Sequence, residues 1–415
     1  MWLVFLFPLF FWAMIRSLKG KGYIINKIVL YLYLGSSVTA CYLSFFSKEY
    51  SKYSMDPVAV IYLIAMLFVL LYPMRAIDMK AERTIERSDD FVIFPFSLFV
   101  IAIFILYFGN QIVNVSISDI LQDAADVRYS NAGKGNFSIT SGTFFAYVEI
   151  IAVNATAVPI GLAFYYMCVA PRNKILIYLL LFSSMVNPLL SLRSASRVYF
   201  PCYVLTLILL FILLRKNVSS TWNRNLKNFI VVIGSLVTIL FIVISSSRFA
   251  DGHYNDEGGT FTSMLAYYGQ NFCNFSPHFS VSPDGLFPDN HGGLNFPFFA
   301  KHAEEIFNLN AQLATDIKLN VFSTTIGSWI SDWGHIWTVV VALIYGGLIY
   351  FVANRKRYTV FTLIYIIMIL QFAYYSLFYF VSTVSKYYIY MLVVLMILDQ
   401  ISYKKSSTIQ KLKGF

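Results

Sequence analysis

Apolar runs of about twenty residues recur along nearly the whole chain, and each is long enough to cross a bilayer as an α-helix. They lie near 2–15, 24–46, 57–74, 91–113, 143–168, 175–192, 199–214, 228–247, 329–353, 359–381 and 387–402. Hydrophobic residues fill 58% of the 415 positions and charged residues 13%, where soluble domains carry roughly a quarter charged. The pattern predicts an all-α polytopic integral membrane protein of about eleven transmembrane helices, or twelve, forming a single transmembrane domain over 1–415. Aromatic content of 18% suits lipid-facing helices with interfacial belts. The charge of +10 reflects basic residues flanking spans, not a basic domain, so nucleic-acid binding is excluded.

The first residues are not a cleaved leader by pattern. Met1 to Ile15 lack a basic n-region, and Arg16 and Lys19 stand where a cleavage site would fall, so this is a short first span. Cys41, Cys168, Cys202 and Cys273 show no metal or redox spacing. Three fall in spans and Cys273 outside, so no disulfide framework is expected.

Alternate loops carry the basic residues. Arg16, Lys19, Lys21 and Lys27 open the series; Arg75, Lys80, Arg83 and Arg87 follow, then Arg172 and Lys174. Arg215, Lys216, Arg224 and Lys227 come next, then Arg355, Lys356 and Arg357, and the tail Lys404, Lys405, Lys411 and Lys413. Twenty-one of the 31 Lys and Arg thus share one side, which the positive-inside rule makes cytoplasmic. The N-terminus is then outside and the C-terminus inside.

Two large loops, 114–142 and 248–328, hold most of the non-membrane mass on the outer side. In the first, Ile117, Ile120, Leu121, Ala124 and Val127 share a helical face, as in a short surface helix. The second is punctuated by Pro283-Asp284-Gly285 and Pro288-Asp289-Asn290, and 298–313 reads as a helix. All five histidines lie in this loop or at its far edge.

Arginine is scarce on outer faces, which gives Arg193, Arg197 and Arg248 weight. The first two sit in Ser191-Leu192-Arg193-Ser194-Ala195-Ser196-Arg197 with no acidic neighbour; the third closes Ser245-Ser246-Ser247-Arg248. Four residues apart on a helical turn, Arg193 and Arg197 share a face and can grip one anion bidentately. Snorkelling to lipid phosphates is the bland alternative. Arg128 is a further outer cation with acidic neighbours.

Asp332 and His335, three apart where the chain enters a late span, would stack on one face of a helix and could serve an acceptor hydroxyl as general base. The competing reading is an interfacial belt of Trp329, Trp333 and Trp337 with a merely wet Asp332 and His335. Glu149 lies inside a span, where an ionisable group costs roughly 2.5–3.5 kcal/mol unless paired or hydrated. Asp399, near the inner end of the last span, is expected to reach water. Asp251, His253, Asp256 and Glu257 match no standard metal spacing and read as a solvated loop. No phosphate-cradling Walker loop is present.

These features together resemble the Wzy-type O-antigen and oligosaccharide repeat-unit polymerases. The resemblance rests on many spans with short cytoplasmic loops, on Asp126-Val127-Arg128-Tyr129, on Ser191 to Arg197, and on Asn320-Val321 leading to Asp332-Trp333-Gly334. That last stretch is similar to the family's "N-V-(Y/F)-T … D-F-G", with Ser323 for Thr and Trp333 for Phe. The resemblance implies a GT-C-like, metal-independent glycosyltransferase without cofactor in the bacterial inner membrane. It would polymerise undecaprenyl-diphosphate-linked repeat units at the periplasmic face, working beside a chain-length regulator and a flippase. Arg193, Arg197, Arg248 and Arg128 would bind diphosphate, and Asp332, His335 or Glu149 would act on the acceptor. An O-antigen ligase or a lipid-linked oligosaccharide flippase are the alternatives.

Overall fold

The computed structural model describes residues 2–20, 22–52, 54–79, 84–88, 90–112, 143–191, 199–250, 259–280, 323–355, 357–378 and 393–399. They are mostly helical, joined by short turns, with one two-residue parallel pairing of β1 (Thr84–Ile85) with β2 (Arg357–Tyr358). In chain order the helices are α1 (Leu6–Ser17), α2 (Ile24–Phe46), α3 (Pro57–Leu71), α4 (Arg75–Met79) and α5 (Asp90–Ile112). Then come α6 (Thr143–Asn154), α7 (Ala157–Val169), α8 (Lys174–Ser191), α9 (Tyr199–Leu214) and α10 (Ser220–Ala250). The last are α11 (Gly259–Cys273), α12 (Phe275–Phe279), α13 (Thr324–Ala353) and α14 (Val360–Tyr375).

Four helical stretches are long and apolar enough to cross a membrane: Ile24–Phe46, Pro57–Asp78, Asp90–Gln111 and Thr324–Ala353. The bent pair Tyr147–Asn154 and Ala157–Val169 adds a fifth if it is one span. Large apolar side chains on these helices, such as Phe91, Ile336 and Leu343, face outward as a lipid-immersed surface requires.

The chain divides into two compact units: 1–80 with 252–354 and 371–386, and 81–251 with 355–370 and 387–415. In the first, α2 begins without a local cap, and Asp78 supplies one across 52 residues. Its carboxylate accepts the backbone amides of Ile25 at 3.2 Å and Asn26 at 2.8 Å, and the Asn26 side-chain amide at 3.0 Å. Two otherwise orphaned N–H groups are thereby satisfied. Near this buried cap are Arg75, over the Tyr72 ring, and Lys27, which donates to the Gly20 carbonyl; Arg16 lies over the Trp12 ring at the end of α1. At the opposite end Asp56 caps α3, accepting from Val58 at 2.9 Å ahead of Pro57, and its own amide donates to Ser276 of α12.

α11 packs directly along α2 and in the same direction. Tyr268 donates to the Leu32 carbonyl, Ser36 to that of Tyr268, and Cys273 lies 3.5 Å from Ser44. Gly269 permits this approach, since a Cβ there would stand 2.8 Å from the Ala40 nitrogen. Cys273, expected outside, is fully buried against α2.

α13 is broken at Gly334, whose φ of 70° and ψ of −175° only glycine adopts readily. Trp329 and Tyr345, about 24 Å apart along a straight helix, have ring centroids 5.4 Å apart. The ten residues before the break therefore fold back on those after it. Both rings also lie close to Phe372 of α14.

The start of α13 meets the end of α14 head to tail. Thr324 and Thr325 donate their amides to the carbonyls of Phe378 at 3.1 Å and Ser376 at 2.9 Å. Tyr33 and Asn271 side chains donate to the Ala373 and Leu377 carbonyls. Orphan donors of one helix thus satisfy orphan acceptors of the other, with their dipoles aligned. The arrangement holds Thr324 at φ 68°, an unusual conformation for a β-branched residue.

In the second unit α6 and α7 meet at a 58° bend. Pro159 has no N–H for the Ala155 carbonyl, and Val158 takes that carbonyl instead at 2.9 Å. Ser88 donates its amide to the Tyr165 hydroxyl, and Trp222 its indole N–H to the Pro171 carbonyl. With the β1–β2 pairing, these contacts draw the loops bearing Arg87, Arg172, Lys174, Arg215 and Arg355 to one end. Asp399 departs from expectation there. It is buried, ion-paired to Arg355 at 2.9 Å, and accepts from Thr359 at 2.6 Å.

Candidate functional site

The break in α13 governs the candidate site in the first unit. Asp332 precedes Gly334 and His335 follows it, so the two do not stack on one helical face as their spacing suggested. Gly334 turns the backbone between them. Asp332 is completely buried, which excludes the merely wet carboxylate of the belt reading. The belt itself is split: Trp329 is completely buried, whereas Trp337 is 57% exposed.

His335 is half-buried. Its imidazole stacks on Phe279 with centroids 4.2 Å apart, and Nε2 lies 2.8 Å from the Phe279 carbonyl oxygen. A carbonyl only accepts, so Nε2 carries the proton, and Nδ1 is the basic nitrogen of the neutral ring. The Tyr62 hydroxyl donates to the His335 carbonyl at 2.6 Å, fixing the first turn after the break.

His278, not singled out from the sequence, belongs to the same neighbourhood. It is buried on α12 beside Phe279, and Nδ1 donates to the Asn274 carbonyl at 2.8 Å. Burial pushes its pKa below the ordinary 6.5, with the Asn274 hydrogen bond opposing the shift. His278 is thus a neutral imidazole whose Nε2 is the acceptor. Only the clustering of histidines in one loop signalled it. Asn271, Asn274, Ser276, Thr324, Thr325, Ser331 and Ser376 are also buried around this end of the unit. Scattered over more than 100 residues of sequence, they carried no local signal.

Glu149 lies in the second unit, on α6 five residues before the bend, and is 5% exposed. Burial of an ionisable group in a span keeps it a functional candidate. Arg248 falls in the last turn of α10, where only the backbone is described. Arg128, Arg193 and Arg197 lie outside the described residues, as do Asp251, His253, Asp256, Glu257, and the helices expected at 117–127 and 298–313. Among the described residues no three His, Cys, Asp or Glu side chains converge as a metal site.

The chain matches no protein-family model, no curated protein and no solved structure.

Proposed function

We propose that the protein is a membrane-embedded glycosyltransferase that polymerises undecaprenyl-diphosphate-linked oligosaccharide repeat units at the periplasmic face of a bacterial inner membrane. The observation that carries the reading is the glycine-broken entry of α13, which holds a buried Asp332 and an oriented His335 at the end of the first unit opposite the Asp78 cap. In the reaction the acceptor hydroxyl oxygen bonds to the donor's anomeric carbon as the bond from that carbon to the diphosphate oxygen breaks. The hydroxyl proton passes to the Asp332 carboxylate or to His335 Nδ1. Undecaprenyl diphosphate leaves with the electron pair. Arg193, Arg197, Arg248 and Arg128 are the residues proposed to stabilise its charge, as preplaced cations do in acyl and phosphoryl transfer. Glu149 is the alternative acceptor-handling group.

The test is extension of purified lipid-linked repeat units by the protein in detergent. Asp332→Asn and single Arg193→Ala or Arg197→Ala variants should shorten or abolish the polymer ladder at normal protein levels. An unchanged ladder in all three overturns the assignment of these residues.

A second reading has its own observation. Broken spans, here at 155–156 and at Gly334, are characteristic of transporters, so a lipid-linked oligosaccharide flippase is the rival. Polymer extension in detergent, where no membrane separates two compartments, decides against it. Supplying lipid A core in place of a second repeat unit separates the polymerase from an O-antigen ligase.

A further inference from the structure

The bend between α6 and α7 leaves a cavity of about 300 Å³ in the second unit. Phe96 and Val100 of α5, Ile151 and Ala155 at the bend, and Leu395 and Leu398 wall it. The cause is local. Pro159 prevents a continuous helix, the half-helices diverge by 58°, and the residue left at the corner is alanine, too small to fill the gap.

Among the described residues, the cavity wall offers almost nothing to a polar ligand. Asn154, the one polar wall residue, donates its side-chain amide to the Ile150 carbonyl of its own turn. Water would have too few partners there. An empty space of this size would deprive the wall atoms of dispersion contacts and destabilise the fold. Hydrocarbon answers both constraints. Phe99 and Val394, each about half exposed, carry the apolar wall outward toward the lipid-facing surface.

The position selects the kind of hydrocarbon. Phe96 is six residues into α5, about 9 Å from Asp90 along the helix. Arg87, which precedes that helix, is already paired to Asp90, and the exposed Arg172 and Lys174 occupy the same end of the unit. A lipid with its chain in the cavity would have its phosphate toward the end that carries Arg172 and Lys174. We propose that the cavity binds one acyl chain of a phospholipid from the leaflet facing the basic end, as a resident lipid. This proposal is independent of the glycosyltransferase reading.

The experiment uses the full-length protein in phosphatidylethanolamine–phosphatidylglycerol vesicles doped with a phospholipid bearing a diazirine midway along one acyl chain. After irradiation, adducts are mapped by mass spectrometry. The wild type should be labelled on peptides covering 150–158 and 394–398. Ala155→Phe, which fills the corner, should lower those adducts several-fold while leaving the lipid-exposed Ile336–Leu343 face labelled as before. Val394→Trp, closing the rim from a half-exposed position, should do the same and guards against misfolding at position 155. Equal labelling in folded wild type and both variants overturns the proposal. Stronger labelling by a photoactivatable polyprenyl phosphate than by the phospholipid also overturns it and makes the cavity a prenyl-chain site.

Discussion

The His335 ring lies flat against Phe279 and donates Nε2–H to that residue's own carbonyl at 2.8 Å. One residue is therefore clamped both by its ring face and by its ring edge. His335→Ala removes the stack and a hydrogen bond, and should cost about 1–3 kcal/mol, read as a lower midpoint in detergent thermal unfolding. His335→Gln keeps a donor and should recover part of that stability. If Nδ1 accepts the hydroxyl proton, His335→Gln should still extend no polymer, so stability and activity should separate.

Gly334 sits at φ 70°, ψ −175°. Gly334→Ala forces a side chain into a region nearly closed to it and should destabilise by about 1–3 kcal/mol. A midpoint within error of wild type would mean that the break survives without glycine.

Gly269→Ala should be more damaging than helix propensity implies. Alanine is ordinarily the better helix former by about 1 kcal/mol, yet here its methyl would meet α2 backbone at 2.8 Å. Backbone cannot rotate aside as a side chain can, and overpacking typically costs about 1–3 kcal/mol. Thermal unfolding gives the sign directly.

His278 makes stability depend on pH in a defined direction. Its folded pKa lies below the unfolded 6.5, so below that pH the unfolded chain binds a proton that the folded chain does not. Stability from the neutral imidazole is intact above about pH 6.5 and is lost as pH falls beneath it. His278→Gln should flatten the fall in unfolding midpoint between pH 7 and pH 5. An unchanged slope would assign the loss to other groups.

Asp399→Asn tests the Arg355–Asp399 clasp of the second unit. It leaves the Arg355 guanidinium without its counter-charge and weakens the Thr359 contact. Because Arg355 is nearly a third exposed, solvent screens the loss to about 1–3 kcal/mol, less than for a fully buried pair. The doubly substituted Arg355→Met/Asp399→Leu protein should regain stability relative to Asp399→Asn.

Much of the helical framework was legible in hydropathy. The runs at 24–46 and 199–214 coincide with α2 and α9, and those near 91–113 and 175–192 are off by a residue at either end. Loop charge was legible in part: Lys27 and Arg75 lie near the Asp78 cap in the first unit, and Arg87, Arg172, Lys174, Arg215 and Arg355 collect at one end of the second, whereas Lys48, Lys52 and Arg248 lie at the far ends of their helices. The candidate site was legible only as residue names. Asp332, Gly334 and His335 stood in the resemblance motif, but their spacing suggested one continuous helical face.

Hydropathy and charge act through neighbours one to four residues apart and through contact with lipid or water, so the chain alone settles which segments are apolar helices and which loops are basic. Folding settled what depends on distant partners. Asp78 caps α2 from 52 residues away, Thr324 and Thr325 meet the end of α14, and the turned-back half of α13 buries Asp332. These outcomes follow from packing orphan backbone groups and large rings against one another. No local window contains both partners, and only the tertiary structure brings them together.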